Sequence, residues 1–334
     1  MDRSHWEVER AEAVCQRAER FVRRIGASTD QTALLSTALN ELRTASGGPI
    51  VGPRIISLLV YAALRGTDEP ALDLAAALAL LEVGIQVLDD LQDGDVPQHW
   101  AGYSPGEMTL AATGLIGVVP HLLLAELDAP PATIVAMHRS LSQSLVRIAE
   151  GQQRDLRLNR SRTATAEQVE ASVVSKSGER PALFARLAAQ LAGATDAQID
   201  LYERFGREVG VAIQVRSDCL DIFGAGGESS DLANGTRTLP IALHLDRLEG
   251  AEREAFLARL EAARTSRDAR LAVRRELLTA GVLMATAFTI EIHRQRALAL
   301  LAEAEPREPG ASRLRSLLDT LAMSDRSPLP ATSA

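Results

Sequence analysis

The amino-acid sequence predicts an all-α fold, a single large helical bundle, and three observations predict it. Of the 334 residues 46% are hydrophobic, with Ala and Leu prominent, and only 3% are aromatic. β-Branched runs are short, and that balance favours helix. Apolar residues recur at helical spacing over long stretches. Glycine and proline gather in short breaks between those stretches. A chain of this length can bury a large core, and no repeat, low-complexity insert or linker divides it. One helical domain is expected over residues 1–323, followed by a polar, Pro/Ser-rich tail from Ser324 to Ala334 that is expected to be disordered.

The elements follow in order. Residues 5–25 have the spacing of an amphipathic helix and end before Gly26. A second helix is expected from Asp30 to Thr44, up to the break Ala45-Ser46-Gly47-Gly48-Pro49. Arg54 to Arg65 reads as a buried helix that Gly66 ends. A long apolar helix starts at Pro70 and ends in an acidic tip. Gly94 to Gly106 is a loop with His99, Trp100 and Tyr103. Two helices follow over 107–129 and 130–158, divided at Pro130-Pro131. A helix from Thr165 reaches Ser177, and Pro181 imposes a kink or a restart because it cannot donate to the helical ladder. Helices over Ala182–Leu191 and Asp196–Phe223 come next, then the loop Gly224-Ala225-Gly226-Gly227, then several helices over 240–323.

Charge and composition exclude several functions. The net charge of −8 argues against nucleic acid as a main partner. Cys15 and Cys219 have neither metal nor redox spacing, which fits a reducing, cytoplasmic setting. The N-terminus has no apolar h-region. Asp73, Glu82, Gln86 or Pro120 interrupt the longest apolar runs, so these read as buried helices, with no transmembrane segment expected. Lys176 is the only lysine; every other basic residue is arginine. A lone Lys in such a background is a candidate for a compact three-donor charge.

The chemistry gathers in a few short stretches. Leu88-Asp89-Asp90-Leu91-Gln92-Asp93 ends the long apolar helix, with Asp89 and Asp93 at i and i+4 on one face. Clustered carboxylates at a buried helix end are costly unless a cation neutralises them. An oxygen-only donor set with one or two carboxylates per ion suits Mg²⁺, with phosphate oxygens completing the shell. Gln152 and Asp155 share a face at i and i+3. Gln214, Asp218 and Asp221 share another at i, i+4 and i+7. Two acidic clusters on long buried helices, above an apolar pocket, suit the ionisation of an allylic diphosphate.

These stretches resemble the trans-isoprenyl diphosphate synthase (polyprenyl synthetase) family from about Gly47 to Pro240. Asp89-Asp90-Leu91-Gln92-Asp93 is similar to its first aspartate-rich motif, and Gly151-Gln152-Gln153-Arg154-Asp155-Leu156 to GQxxDL. Lys176-Ser177-Gly178 is similar to KT(A/G), Gln214 to Asp221 to FQxxDDxxD, and Gly235 to Pro240 to GKxTLP. The resemblance implies an all-α fold, two or three Mg²⁺ ions and a homodimer. It implies Asp89, Asp90, Asp93, Asp155, Ser217, Asp218 and Asp221 as metal ligands. Lys176, Gln152, Arg216 and Arg237 would contact the diphosphate, and Asp89, Asp93, Lys176 and Asp218 would carry the ionisation. Leu81, Gly84, Ile85, Phe184 and Gln214 would line the pocket. Family members close the pocket with an aromatic before the first motif; none stands there, so a C15 or C20 tail is expected.

Departures from the family pattern shape the functional expectation. Chain-elongating members hold a second, homoallylic diphosphate with basic residues in a GGKR segment and in an RRG after the first motif. Here those segments read Gly47-Gly48-Pro49-Ile50 and Gly94-Asp95-Val96-Pro97-Gln98-His99-Trp100, and Arg54 replaces the lost charge only in part. Each charge-assisted contact contributes about 1.5–3 kcal/mol. The expectation is therefore prenyl transfer to a non-diphosphate acceptor, such as a small molecule, a peptide or a lipid, with the peptide-prenylating ComQ-type branch as one candidate. Terpene cyclisation and ordinary chain elongation are the alternatives. An inert partner subunit is disfavoured, since it has no reason to keep these groups together. Ser217 stands where the second motif has its first Asp, and Thr236 where GKxTLP has Lys, with Arg237 beside it.

Overall fold

The computed structural model of the chain describes residues 5–26, 28–44, 55–94, 96–224 and 229–323. The Gly47–Ile50 segment, Arg54 and the tail from Ser324 lie outside these residues. Among the described residues there are helices and no strands. In chain order they are α1 (His5–Ile25), α2 (Thr29–Ala38), α3 (Asn40–Thr44), α4 (Ile56–Arg65), α5 (Leu72–Asp93), α6 (Pro105–Gly117), α7 (Val119–Ala125), α8 (Pro131–Asn159) and α9 (Ala166–Val173). There follow α10 (Glu179–Leu191), α11 (Asp196–Phe223), α12 (Ser230–Asn234), α13 (Leu239–Leu245), α14 (Gly250–Ala263), α15 (Arg267–Thr279), α16 (Val282–Glu303) and α17 (Gly310–Leu321).

Three expected helices are divided, each for a local reason. The stretch 30–44 breaks at Leu39 into α2 and α3. The stretch 107–129 breaks at Val118, because Pro120 has no N–H to donate back to α6 but is well placed in the first turn of α7. The stretch 165–177 ends at Val173 and passes into a π-turn, Val174–Gly178. That turn restarts the helix at Glu179, so Pro181 falls in the first turn of α10, where an N–H is not needed.

The chain forms two compact units. The first comprises residues 1–141, 184–200 and 306–314, and the second 142–183, 201–305 and 315–334. In the first unit α5 is the central element. Leu74, Ala75, Ala76, Ala77, Leu78, Ala79, Leu80 and Leu81 are buried in succession, so every face of α5 is covered there. It packs on α1, α6 and α7. Gly84 allows α6 to come close: a Cβ there would stand 2.8 Å from Ile116 Cγ1 and 2.9 Å from Leu115 Cβ. Buried Asp68 joins the terminal helices. It accepts the Trp6 indole N–H at 2.8 Å and pairs with Arg10 at 3.0 Å and Arg313 at 3.1 Å. By length and composition alone, Glu69–Gln92 and Pro105–Ala125 could each cross a bilayer; 78% of the first is buried within the protein, but only 44% of the second.

The second unit has its own core, in which Ile222, Phe223, Leu232, Ile241, Phe256, Leu257, Val273 and Leu277 are buried together. Buried His293 on α16 bonds Glu208 on α11 at 2.6 Å. In this unit the later turns of α8 and α11 carry Gln152, Asp155, Gln214, Asp218 and Asp221.

Candidate active site

The first acidic cluster belongs to the first unit. It occupies the last turn of α5, which Gly94 terminates in the left-handed conformation (φ 79°). No basic residue stands in that turn. A helix C-terminus carries partial negative charge, so carboxylates there are held against the helix dipole and favour a cation. Asp89 and Asp90 are half-buried. Gln86 Nε2 donates to Asp90 Oδ1 at 2.7 Å and fixes its orientation. Asp93 is the last residue of the helix. Ile85 and Leu81 are buried one and two turns below, and Phe184 is buried in the same unit. The position of Gly84 is filled by α6, as described above.

The segment after the cluster is tied into the core. Trp100 is 1% exposed, and its indole N–H donates to buried Glu41 at 3.0 Å. His99 meets the same carboxylate at 2.7 Å, and Tyr103 packs edge-on against Trp100. Trp100 is thus a structural anchor for the loop.

The remaining motifs meet in the second unit. α8 presents Gly151, Gln152 and Asp155, the π-turn presents Lys176, and α11 presents Gln214, Ser217, Asp218 and Asp221. Glycines set the spacing. A Cβ on Gly151 would stand 2.6 Å from the Lys176 backbone nitrogen. One on Gly210 would stand 2.5 Å from the Ser177 carbonyl oxygen, and one on Gly206 2.4 Å from that of Pro181. The π-turn is therefore held between two helices that touch it with bare backbone. π-Turns inside helices are frequent at functional sites because they re-aim a side chain. Here the turn directs Lys176 Nζ to Asp155 Oδ2 at 3.2 Å.

A polar chain runs from the same turn to the buried carboxylate. Ser177 Oγ donates to Gln214 Oε1 at 2.9 Å, and Gln214 Nε2 donates to Asp218 Oδ1 at 2.8 Å. The sequence placed Gln214 at the pocket wall; the structure gives its amide the task of orienting Asp218. Asp218 is 6% exposed. Its carboxyl is pushed up to about 7, first by burial and then by the carboxylates of Asp155 and Asp221, against the lowering effect of Gln214 and the Leu239 N–H. A carboxyl so short of positive charge fits a hard divalent cation, and the donors here are oxygens throughout. Among the described residues no three His, Cys, Asp or Glu side chains converge on one point. One or two carboxylates per ion suffice for Mg²⁺ when phosphate oxygens and water complete the shell.

Four sequence-predicted residues have other surroundings. Ser217 is exposed on α11, and Arg216 beside it has a buried Nε without a hydrogen bond. Arg237 donates its backbone N–H to Asn159 Oδ1 at 2.8 Å and its Nε to the Ser161 carbonyl at 3.4 Å. Burial, then Arg253 and Arg162, lower its proton affinity. Asp221 is engaged by the segment that opens α12. One site-supporting residue escaped the sequence reading. Glu179, 3% exposed, accepts from Ser144 Oγ at 2.6 Å, Arg147 Nε at 2.7 Å and Arg207 Nη2 at 3.2 Å. It fastens the helix directly after the Lys176 turn, and its only sequence signal was a Glu at the start of that helix.

Comparison with known proteins gives the family and the fold. The profile of the family described as polyprenyl synthetase matches residues 35–277. A geranylgeranyl diphosphate synthase of Mycobacterium tuberculosis is 30% identical over 239 residues, which is 67% of either chain. Among solved structures, a geranylgeranyl pyrophosphate synthetase from Pyrococcus horikoshii Ot3 superposes with a TM-score of 0.81 at 20% identity, covering 95% of this chain and 97% of that one. A geranylgeranyl pyrophosphate synthase from Corynebacterium glutamicum, complexed with isoprenyl diphosphate and magnesium, gives a TM-score of 0.80 at 18% identity, covering 95% and 99%.

Proposed function

The chain belongs to the polyprenyl synthetase family, and from that premise we propose that it ionises an allylic prenyl diphosphate with Mg²⁺ and elongates the prenyl chain onto a homoallylic diphosphate. The fold is the all-helical isoprenoid synthase fold, and the enzyme is a prenyltransferase by family. The observation that carries the reading is the cluster of Lys176, Asp155 and buried Asp218, with Gln214 holding the last in place. Bound Mg²⁺ would neutralise the departing diphosphate as a Lewis acid. Asp89, Asp90 and Asp93 in the first unit, and Asp155 and Asp218 in the second, are the groups that would each hold such ions. Lys176 supplies donors to the diphosphate from a turn that α8 and α11 keep rigid. Gln214 keeps one Asp218 oxygen occupied and the side chain aimed. Leu81 and Ile85, with no aromatic between them and Asp89, support a C15 or C20 tail.

Relatives named as geranylgeranyl and farnesyl diphosphate synthases support elongation over the non-diphosphate acceptor that the missing basic residues suggested. Transfer to another acceptor is the second reading. It is favoured by one observation: no Lys or Arg stands at Gly47–Ile50 or between Gly94 and Trp100. The test is diphosphate release by purified protein with Mg²⁺ and C5 to C20 allylic diphosphates, with and without isopentenyl diphosphate, and mass analysis of the products. Longer prenyl diphosphates formed only with isopentenyl diphosphate bear out elongation. Release without it, giving alcohols or hydrocarbons, favours the second reading. No release with any allylic diphosphate rejects both.

A further inference from the structure

We infer that Asp221 is a positioning residue that locks the segment opening α12, and that it is not a metal ligand. The inference rests on the reading above that this unit binds Mg²⁺ with diphosphate. Four donors surround the Asp221 carboxylate. Ser229 Oγ and the Asp231 N–H, the latter at 3.2 Å, donate to Oδ2. The Ser230 N–H at 3.0 Å and Ser230 Oγ at 2.8 Å donate to Oδ1. A carboxylate has about four lone-pair sites, so none is left for a cation without breaking a charge-assisted bond. Asp218 accepts from Gln214 and Asp155 from Lys176, contacts that leave lone pairs on both carboxylates.

The lock acts over several residues. Ser229 is 5% exposed; it gives its proton to Asp221 and accepts the Leu232 N–H at 3.1 Å, which caps α12. Gly235 closes α12 in the left-handed conformation (φ 76°), and the Thr236 N–H returns to the Asp231 carbonyl at 2.8 Å. Four residues beyond Gly235 stands Leu239, the first residue of α13. Asp221 thus fixes the segment that opens α12 and leads on to α13. The sequence pattern makes Asp218 and Asp221 equal members of one motif. The hydrogen bonds separate them into a cation-facing group and a backbone lock.

The test compares D221N, S229A, D218N and wild type as full chains, each first checked for wild-type helicity by circular dichroism. Amide hydrogen exchange is followed over residues 230–239, and Mn²⁺ binding with inorganic diphosphate is followed by electron paramagnetic resonance. D221N and S229A are expected to exchange faster over that segment and to keep cation affinity within about threefold, whereas D218N loses tenfold or more, as direct or supporting groups of metal sites do. In turnover, D221N is expected to lower kcat with the Mg²⁺ concentration for half-maximal rate unchanged. A tenfold loss of Mn²⁺ affinity in D221N with S229A unaffected makes Asp221 a ligand and overturns the inference. Unchanged exchange in D221N overturns it as well. Wild type that binds no Mn²⁺ with diphosphate rejects the functional reading instead, and the exchange data still decide the lock.

Discussion

Asp218 holds its charge against burial and two acidic neighbours. Its carboxyl ordinarily titrates near 3.8, and burial with two acidic neighbours pushes it up to about 7. Folding therefore takes up a proton between about pH 4 and 7, since the folded chain binds that proton more tightly than the unfolded one. The sign follows: stability at this residue is fully present at low pH and falls as pH rises through that window. This is the reverse of a salt-bridged carboxylate. The ceiling is roughly 1.4 kcal/mol for each pH unit crossed. Without Mg²⁺, Asp218→Asn is expected to be more stable than wild type at pH 8 and no more stable at pH 4, read from urea midpoints. Parallel pH curves for the two proteins reject the assignment. Lys176 makes the complementary case. Its removal in Lys176→Ala takes away a charge-assisted contact of about 1.5–3 kcal/mol, so KM for the allylic diphosphate is expected to rise about tenfold or more. An unchanged KM removes Lys176 from the substrate site. Both residues were legible in the sequence, Lys176 because it is the only lysine and Asp218 by its helical spacing. The separate duty of Asp221 was not, because it depends on serines that fold back from beyond a glycine-rich stretch.

At the scale of elements, the Lys176 turn is made by its neighbours. Pro181 announced a break in the helix, and the sequence placed it there. The π-turn lies earlier, over Val174–Gly178, because α8 and α11 press on it at Gly151 and Gly210. Periodicity within one helix carries no signal of another helix's glycine, so this displacement was not legible. The glycines themselves were: Gly151 opens the GQxxDL stretch, yet it read as a motif letter with no physical task. The structure gives it one. Gly151→Ala would place a methyl group 2.6 Å from the Lys176 nitrogen, closer than atoms approach. Overpacking of this kind costs about 1–3 kcal/mol, and a shift near 1 Å in a substrate-holding group costs up to about 100-fold in rate. Gly151→Ala is expected to fold with a lowered midpoint and to lose 10- to 100-fold in kcat/KM. Gly117→Ala, where no atom lies within 4 Å of the added Cβ, serves as the control and is expected to retain wild-type rate. Equal rates for both variants reject the clamp.

For the molecule as a whole, the order of helices and the all-α class were legible because length, periodicity and Gly/Pro breaks agree at every level. What was not legible is how carboxylates are compensated. The sequence shows more acidic than basic residues, 44 against 36, but not which are matched. The structure matches Asp68 and Glu179 with arginines and, among the described residues, shows none paired with Asp218. Charge that folding leaves uncompensated must be met by something bound. Mg²⁺ and diphosphate would compensate each other there: the ion meets the carboxylate, and the diphosphate meets the ion. Their joint binding is therefore expected to raise the unfolding midpoint more than the sum of either alone. At 100 times the dissociation constant, the stabilisation is about 2.7 kcal/mol. Chelation by EDTA is expected to abolish it together with diphosphate release, and so is Asp89→Ala or Asp93→Ala. Differential scanning fluorimetry reads the first quantity and phosphate release the second. Turnover retained in Asp89→Ala or Asp93→Ala would mean that the end of α5 does not hold the metal. Stabilisation by diphosphate in EDTA would mean that Lys176 and its neighbours bind the anion without it.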